Sequence, residues 1–238
     1  MRTREQRRSF LVVCALAALG ALAAGGERQA ARAAPISLHP ENPRYFLCNK
    51  VIADDETGFR GVSDEVYRTE GRKFVIAGGA LYNNLDYSFA VGFEDGTFAY
   101  PNTQPGGGSA ALRRQLRILR DFITSVDFIR MTPDDSIVKA GAPPGGAARA
   151  LVERGRTIAI YLRRRVPANA KEAALQVSRE PGPSAPLQLE IPDGQWRAEW
   201  IDTPTGAVVR TLDVSGGGTR TIASPDYAVD IALRLRRQ

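Results

Sequence analysis

The stretches KVIADDETGF (50–59) and GGALYNNLDYSF (78–89) decide how this chain is read. Each sets a short apolar run directly ahead of a polar cluster. Lys50–Ala53 predicts a short buried strand with Asp54, Asp55 and Glu56 at its exit. Ala80–Tyr82 predicts a second strand, with Asn83, Asn84, Asp86 and Tyr87 beyond it. Between them, Asp64 suits the N-cap of a helix from Glu65 to Ala77, because a short acidic side chain can accept from the unpaired first-turn amides. Val66, Phe74 and Val75 share one face of that helix, and Gly78-Gly79 ends it. The order is strand, helix, strand, with polar groups gathered where the strands end.

Downstream, the pattern changes twice. A long loop runs from Asn83 to Ser109 and carries Tyr87, Phe89, Phe93, Phe98 and Tyr100. Loops of that length commonly shape binding sites. Ser109 then caps a helix from Ala110 to about Ser125. Leu112, Leu116, Leu119 and Ile123 recur at the spacing of one buried face, and Arg113, Arg114, Arg117 and Arg120 occupy the rest. A run of arginines on a helix reads first as a solvated face and only second as an anion site. From Ser136 onward, short β-branched and apolar runs alternate with turn residues. The predicted strands are 136–140, 148–153, 157–162, 174–177, 187–190, 195–202, 208–214 and 228–235. Such regular short strands indicate an antiparallel sandwich, with an irregular excursion at 164–186. Trp196 and Trp200, four apart, fall on one strand face as a core pair.

Composition narrows the function classes. Arg2, Arg4, Arg7 and Arg8 precede an apolar run from Phe10 to Ala24 that is short for a bilayer span, followed by small residues. Residues 1–33 therefore read as a secretory signal. The paired arginines in QRRSFL (6–11) leave both the general and the twin-arginine routes open, and the expected destination is secreted or periplasmic, with no stable membrane span after cleavage. This leader holds six of the chain's 32 Lys/Arg and two of its 26 Asp/Glu, leaving 26 and 24, a net charge of +2. The basic balance is thus largely the leader's, and no nucleic-acid partner is implied. Beyond the leader only Cys48 remains, so no intrachain disulfide forms there. His39 is the sole histidine, which argues against His-rich metal sites and Ser-His-Asp catalysis, and no cofactor is expected.

Several stretches resemble one family. ISLHPENPRYFL (36–47), DETGFRG (55–61), DEVYR (64–68), GGALYNNLDYSFAVGFEDGTF (78–98), QPGGGSAALRRQLRILRDFI (104–123) and IPDGQWRAEWIDTPTGAVV (191–209) are similar to segments of bacterial secreted glycoside-hydrolase-like proteins. That family joins a cellulase-like TIM barrel to a C-terminal sandwich named as the collagen-binding domain of a collagenase. The resemblance implies an α+β composite. A lead-in (34–49) precedes a truncated barrel remnant (50–132) made of the last two βα units, and an antiparallel β-sandwich follows (136–238). A whole barrel needs eight such units. The opening segment here runs almost directly into the seventh, which reads as an internal deletion, a gene remnant or a mis-assembled gene. The remnant is expected to pack on the sandwich, to pair with another chain as an oligomer, or to lack full order.

The resemblance also implies chemistry. In cellulase-like enzymes the nucleophile ends the seventh barrel strand and the acid/base ends the fourth. Glu56 matches the first by position, and the second falls in the missing portion. Retaining hydrolysis needs two carboxylates about 5 Å apart. Asp54, Asp55 and Asp86 are the nearby substitutes, each requiring the right separation and a raised pKa. Tyr82, Asn83, Asn84, Asp86 and Tyr87 are the candidate substrate-binding residues: aromatic faces stack on sugar rings, and amides and carboxylates bind hydroxyls. The same aromatics would equally pack the loop. The expected function is a non-catalytic module binding polysaccharide or an extracellular matrix protein. The alternative is an active retaining glycoside hydrolase with Glu56 as nucleophile, and whether the chain is an enzyme stays open. Gly106-Gly107-Gly108 lacks the Lys-Ser/Thr of a phosphate loop and reads as a flexible lead into the helix. Glu94-Asp95 and Asp134-Asp135 lack the alternation of a calcium loop and read as turn residues, so no metal is expected.

Overall fold

A computed structural model describes residues 51–101, 106–165 and 186–238. The leader, Cys48, His39 and the strand expected at 174–177 lie outside the described residues.

The chain first forms β1 (Ala53–Thr57), α1 (Asp64–Ile76) and β2 (Leu81–Asn84), and β1 and β2 pair in parallel. After the aromatic loop comes α2 (Ala110–Thr124). Nine strands follow: β3 (Thr132–Pro133), β4 (Val138–Ala140), β5 (Ala147–Glu153), β6 (Thr157–Arg163), β7 (Pro186–Ile191), β8 (Gln195–Asp202), β9 (Val208–Ser215), β10 (Gly218–Ala223) and β11 (Asp230–Arg237). They make a six-stranded sheet ordered β3-β5-β6-β11-β8-β9 and a three-stranded sheet ordered β10-β7-β4, both antiparallel.

Residue alternation explains how the sheets stack. In β7, Leu187, Leu189 and Ile191 point one way and are fully buried, while Pro186, Gln188 and Glu190 are exposed. In β8, Trp196, Ala198 and Trp200 do the same. These side chains share one core with Ile158, Ile160 and Leu162 of β6, Leu233 and Leu235 of β11, and Ile222 of β10, so the two sheets lie face to face. The Trp196–Trp200 pair is in that core, as its spacing requires.

Strand β6 does not alternate: Ile158 through Leu162 are all buried. A strand buried on both faces must be covered twice. Ala159 and Tyr161 of β6, Leu151 of β5 and Ala232 of β11 point away from the sandwich core and pack on Ile76 of α1 and Phe122 of α2. The helices thus form a third layer on the outer face of the six-stranded sheet. Of the three outcomes expected for the helical region, packing on the sheets is the one observed.

Helix α1 is buried nearly all round, because one side meets the large sheet and the other meets β2 and α2. Its N-cap is Ser63 rather than Asp64. Asp64 sits in the first turn, and its carboxylate accepts from Ser109 Oγ at 3.0 Å, tying the two helix starts together. Ser109 caps α2 as expected, accepting from the Leu112 amide at 2.8 Å.

Burying α1 carries charge into the interior. Arg68 donates to Asp230 Oδ1 through Nε (3.1 Å) and NH2 (2.8 Å), and Tyr161 donates to Asp230 Oδ2 at 3.1 Å. Thr203 Oγ1 donates to the Asp230 carbonyl, Arg72 donates to the Thr203 carbonyl, and Arg68 NH1 reaches Gln115 of α2 at 3.3 Å. One buried carboxylate therefore links α1, α2, β6 and β11. Burial alone would lower the Arg68 pKa; the charge and hydrogen bonds of Asp230 outweigh it and hold it above its ordinary value.

Lys73, also on α1, is the opposite case. Burial, with the nearby Arg163 and Arg149 charges, pushes its ammonium down from 10.5 to about 7. The unfolded chain then binds more protons than the folded one between pH 7 and 10.5, so stability rises with pH across that window. Chemical denaturation at stepped pH should show this rise in the native protein, and Lys73→Met should flatten it.

Candidate functional site

The site is built on the β1–β2 pair. Asp54 is paired with Tyr82 and Thr57 with Asn84, so two residues of β1, Asp55 and Glu56, stand against one of β2, Asn83. The extra residue is a bulge, and bulges re-aim side chains. Tyr82 faces α1: its ring lies 6.5 Å from that of Phe74, and its hydroxyl is 3.1 Å from Glu70 Oε2 and 3.2 Å from the Tyr67 carbonyl oxygen. Thr57 Oγ1, also on this side, is 3.2 Å from the Tyr82 hydroxyl and 3.5 Å from Asn84 Oδ1. Asp54 shares the register of Tyr82, and burial together with the Glu70 charge pushes its carboxyl up to about 6. Burial also raises the Tyr82 phenol, with Glu70 next.

The bulge leaves Asp55 and Glu56 exposed on the opposite side. Asn83 joins them there and donates from Nδ2 to the Asp55 carbonyl at 3.0 Å. Glu56 and Asn83, both expected at strand exits, lie within the strands themselves, because β1 and β2 begin and end later than their apolar runs suggest. Inter-strand pairing carries the extended conformation into polar residues.

Asp86 and Tyr87 sit beyond β2, the first held by α2 and the second by the loop ahead of it. Asp86 Oδ2 is 2.7 Å from Arg113 NH1, and its Oδ1 accepts from the Ser88 amide and hydroxyl. Arg113 also donates to Ser88 Oγ and the Gly96 carbonyl, and its guanidinium lies 5.1 Å from the centre of the Phe89 ring. The tie was not legible in the arginine run, where Arg113 looks like Arg114, Arg117 and Arg120; those three are exposed, as expected of a solvated face. Tyr87 packs on Tyr100 at 6.3 Å between ring centres, and the Tyr100 hydroxyl bridges the amide and carbonyl of Gly108.

The three glycines at 106–108 are close-packed rather than a flexible lead. A Cβ at Gly106 would sit 1.5 Å from the Gly58 carbonyl oxygen, and one at Gly108 would sit 1.8 Å from Asp86 Oδ1. Only residues without a side chain let the turn ahead of α2 meet the loops after β1 and β2. Asp134 and Asp95 accept from the residues two ahead, Ser136 and Thr97, as turn residues do. Among the described residues, no group of three or more His, Cys, Asp and Glu side chains is placed to hold a metal ion.

Six residues were singled out by sequence: Glu56, Tyr82, Asn83, Asn84, Asp86 and Tyr87. The structure brings Glu56 and Asn83 to one exposed face with Asp55. It turns Tyr82 toward α1 and places Asn84 beside Thr57. Asp86 and Tyr87 are fixed in the adjoining loop. Phe59, exposed just past β1, and Phe89 and Phe93 in the loop past β2 lie at the same strand ends. Phe59 was missed although it directly follows the strand exit. The β1–β2 unit thus offers exposed carboxylate and amide hydrogen-bonding groups on its strands and exposed aromatic rings in the loops that follow them. Among the other carboxylates, Asp54 lies on the α1 side and Asp86 is paired with Arg113.

No protein-family model matches the sequence. No curated protein matches it either. Solved structures do resemble it. One described as "Glycoside hydrolase" superposes with a TM-score of 0.54 and 16% identity, over 90% of this chain and 50% of its own length. A glycoside hydrolase family 5 protein from Bacteroides vulgatus ATCC 8482 superposes with a TM-score of 0.53 and 17% identity, over 90% and 49%. At such identities the likeness is one of fold, and it supports a glycoside-hydrolase-like fold for this α+β chain. The chain spans about half the length of these structures.

Proposed function

We propose that this protein binds carbohydrate through the outward face and loop of the β1–β2 unit, on an architecture descended from a glycoside hydrolase, and does not cleave what it binds. In this reading β1-α1-β2 is the remnant of a larger α/β barrel, and the stacked antiparallel sheets are the C-terminal module that in such proteins is named for collagen binding. Residues 1–33 direct export, and the ligand is a polysaccharide or a glycosylated matrix component met outside the cytoplasm.

The observation that carries this reading is the bulge that brings Asp55, Glu56 and Asn83 to one exposed face, with Phe59, Phe89 and Phe93 exposed in the loops that follow β1 and β2. Carboxylate and amide groups suit sugar hydroxyls, and aromatic faces suit the apolar faces of pyranose rings. The position of Glu56 favours the second reading, a retaining hydrolase with Glu56 as nucleophile. That chemistry needs a second carboxyl about 5 Å away, on the far side of the scissile bond. Asp54 and Asp86 are turned or tied elsewhere, and Asp55, next to Glu56 on the same face, would meet a bound sugar from the same side and not across the bond.

Affinity electrophoresis through gels cast with individual soluble polysaccharides tests the binding. The protein should be retarded by at least one of them, and Asn83→Ala with Phe89→Ala should release it while the protein still unfolds in one cooperative transition. Equal mobility in every gel would contradict the reading.

A further inference from the structure

Helix α1 carries its charges where a helix favours them. Asp64 and Glu65 lie in its first turn, at the positive end of the peptide dipoles, and Lys73 lies in its last. Helix α2 reverses this order. It has no acidic residue in its first turn and no basic residue in its last. Its arginines begin at Arg113 and Arg114, and its one acid, Asp121, stands near its C-terminus. Arg117 and Asp121 form an i, i+4 pair with the base ahead of the acid, the orientation that supports a helix less. The order of charge on α2 therefore works against the helix and has another cause.

Packing inside the molecule explains only Arg113, which is tied to Asp86. Arg114, Arg117 and Arg120 are exposed, the last two at 73% and 64% of their side chains. Residues three apart are neighbours on a helix, so the three make one row, about 9 Å long from Arg114 to Arg120. Among the described residues, Asp121 is the one carboxylate paired with the row. It is shared by Arg117 at 3.8 Å and Arg120 at 2.9 Å, and Arg114 has none. Three arginines less one aspartate leave a charge of +2. Exposed pairs of this kind hold weakly, so an incoming anion can displace Asp121. Guanidinium groups bind carboxylates and other oxyanions through paired N–H donors. A row of them suits a polymer with repeated anionic groups better than a single small ion. Its arginines recur about every 4.5 Å along the axis, sparser than the charge of duplex DNA, one per about 1.7 Å.

We propose that the Arg114–Arg117–Arg120 row docks an acidic polysaccharide, one bearing carboxylates or sulfates along its chain. Only the choice of a sugar polymer rests on the carbohydrate reading above. Fluorescence anisotropy of labelled polygalacturonate and labelled dextran sulfate, each titrated with the full chain, tests it. At about 0.15 M salt, charges more than roughly 8 Å away are largely screened, so the local row is what is read. The wild type should bind at least one of the two polymers. The triple variant Arg114→Gln, Arg117→Gln and Arg120→Gln should bind it at least tenfold more weakly, and glutamine is close to arginine in helix propensity, so the fold survives. Arg154→Gln, Arg156→Gln and Arg197→Gln together remove the same charge from exposed positions outside α2 and should change binding less than twofold. The row variant should still be retarded by any neutral polysaccharide that retards the wild type, which keeps a loss at α2 distinct from a loss at the β1–β2 face. A wild type that binds neither polymer, equal weakening in the two triple variants, or tighter binding to duplex DNA than to either polymer would overturn the proposal.

Discussion

Asp230→Ala should destabilise the protein by about 3–5 kcal/mol, lowering the melting temperature by roughly 10 °C or more for a chain of this size. Asp230 and Arg68 are 0% and 5% exposed at their side chains, and the carboxylate also takes the Tyr161 hydroxyl. Removing it takes the hydrogen-bonded counter-charge from the Arg68 guanidinium, beside the buried Arg72, and leaves only the weaker pull of Glu65 in a poorly solvating interior. The loss is mostly that stranded charge, not the net worth of the pair. The double variant Arg68→Met with Asp230→Leu should therefore lose much less than Asp230→Ala alone, since a buried pair is often replaced by apolar groups at little cost. Thermal and denaturant unfolding of both variants checks this. A double variant at least as unstable as the single would refute the explanation.

Trp200→Ala should cost a similar amount, about 3–5 kcal/mol. The side chain is fully buried between the two sheets, and the cavity it leaves is lined by strands whose hydrogen bonds keep them from closing in. The two tryptophans should separate on substitution by phenylalanine. Trp196 Nε1 donates to the Pro192 carbonyl at 2.9 Å, whereas Trp200 Nε1 has no acceptor among the described residues. Trp196→Phe strands a carbonyl oxygen and Trp200→Phe strands nothing, so the second should be the milder in denaturant melts.

The sequence showed the parts of this fold that repeat a period. Leu187, Leu189 and Ile191 announced a strand by alternation, Leu112 and Leu119 a helix, and Ser109 its start. Strand β10 was passed over because GTRTIA (218–223) sends only Ile222 into the core and is otherwise polar. Its extended form comes from pairing with β7, which no local pattern encodes. The strand expected at 136–140 begins instead as a short 3-10 turn at Asp135–Ile137. The third layer was equally hidden. That α1 would cover the sheet follows from five consecutive buried residues in β6, but the Arg68–Asp230 contact joins residues far apart in sequence.

The candidate site was legible by residue type and less so by direction. Glu56 and Asn83 stood out as polar groups at strand ends, and they share a face. Which way Tyr82 points depends on the bulge between Asp54 and Thr57, an offset of one residue that period-two reasoning does not contain. Arg113 was indistinguishable from its neighbours until the loop it holds was in place.

In the proposed function, the β1–β2 face binds carbohydrate with no carboxylate placed across the scissile bond from Glu56. Release of reducing sugar from any polysaccharide that retards the protein tests it most directly, with Glu56→Gln measured alongside. The same background release is expected from both proteins, with binding retained in the wild type. Turnover by the wild-type chain that disappears in Glu56→Gln would contradict it.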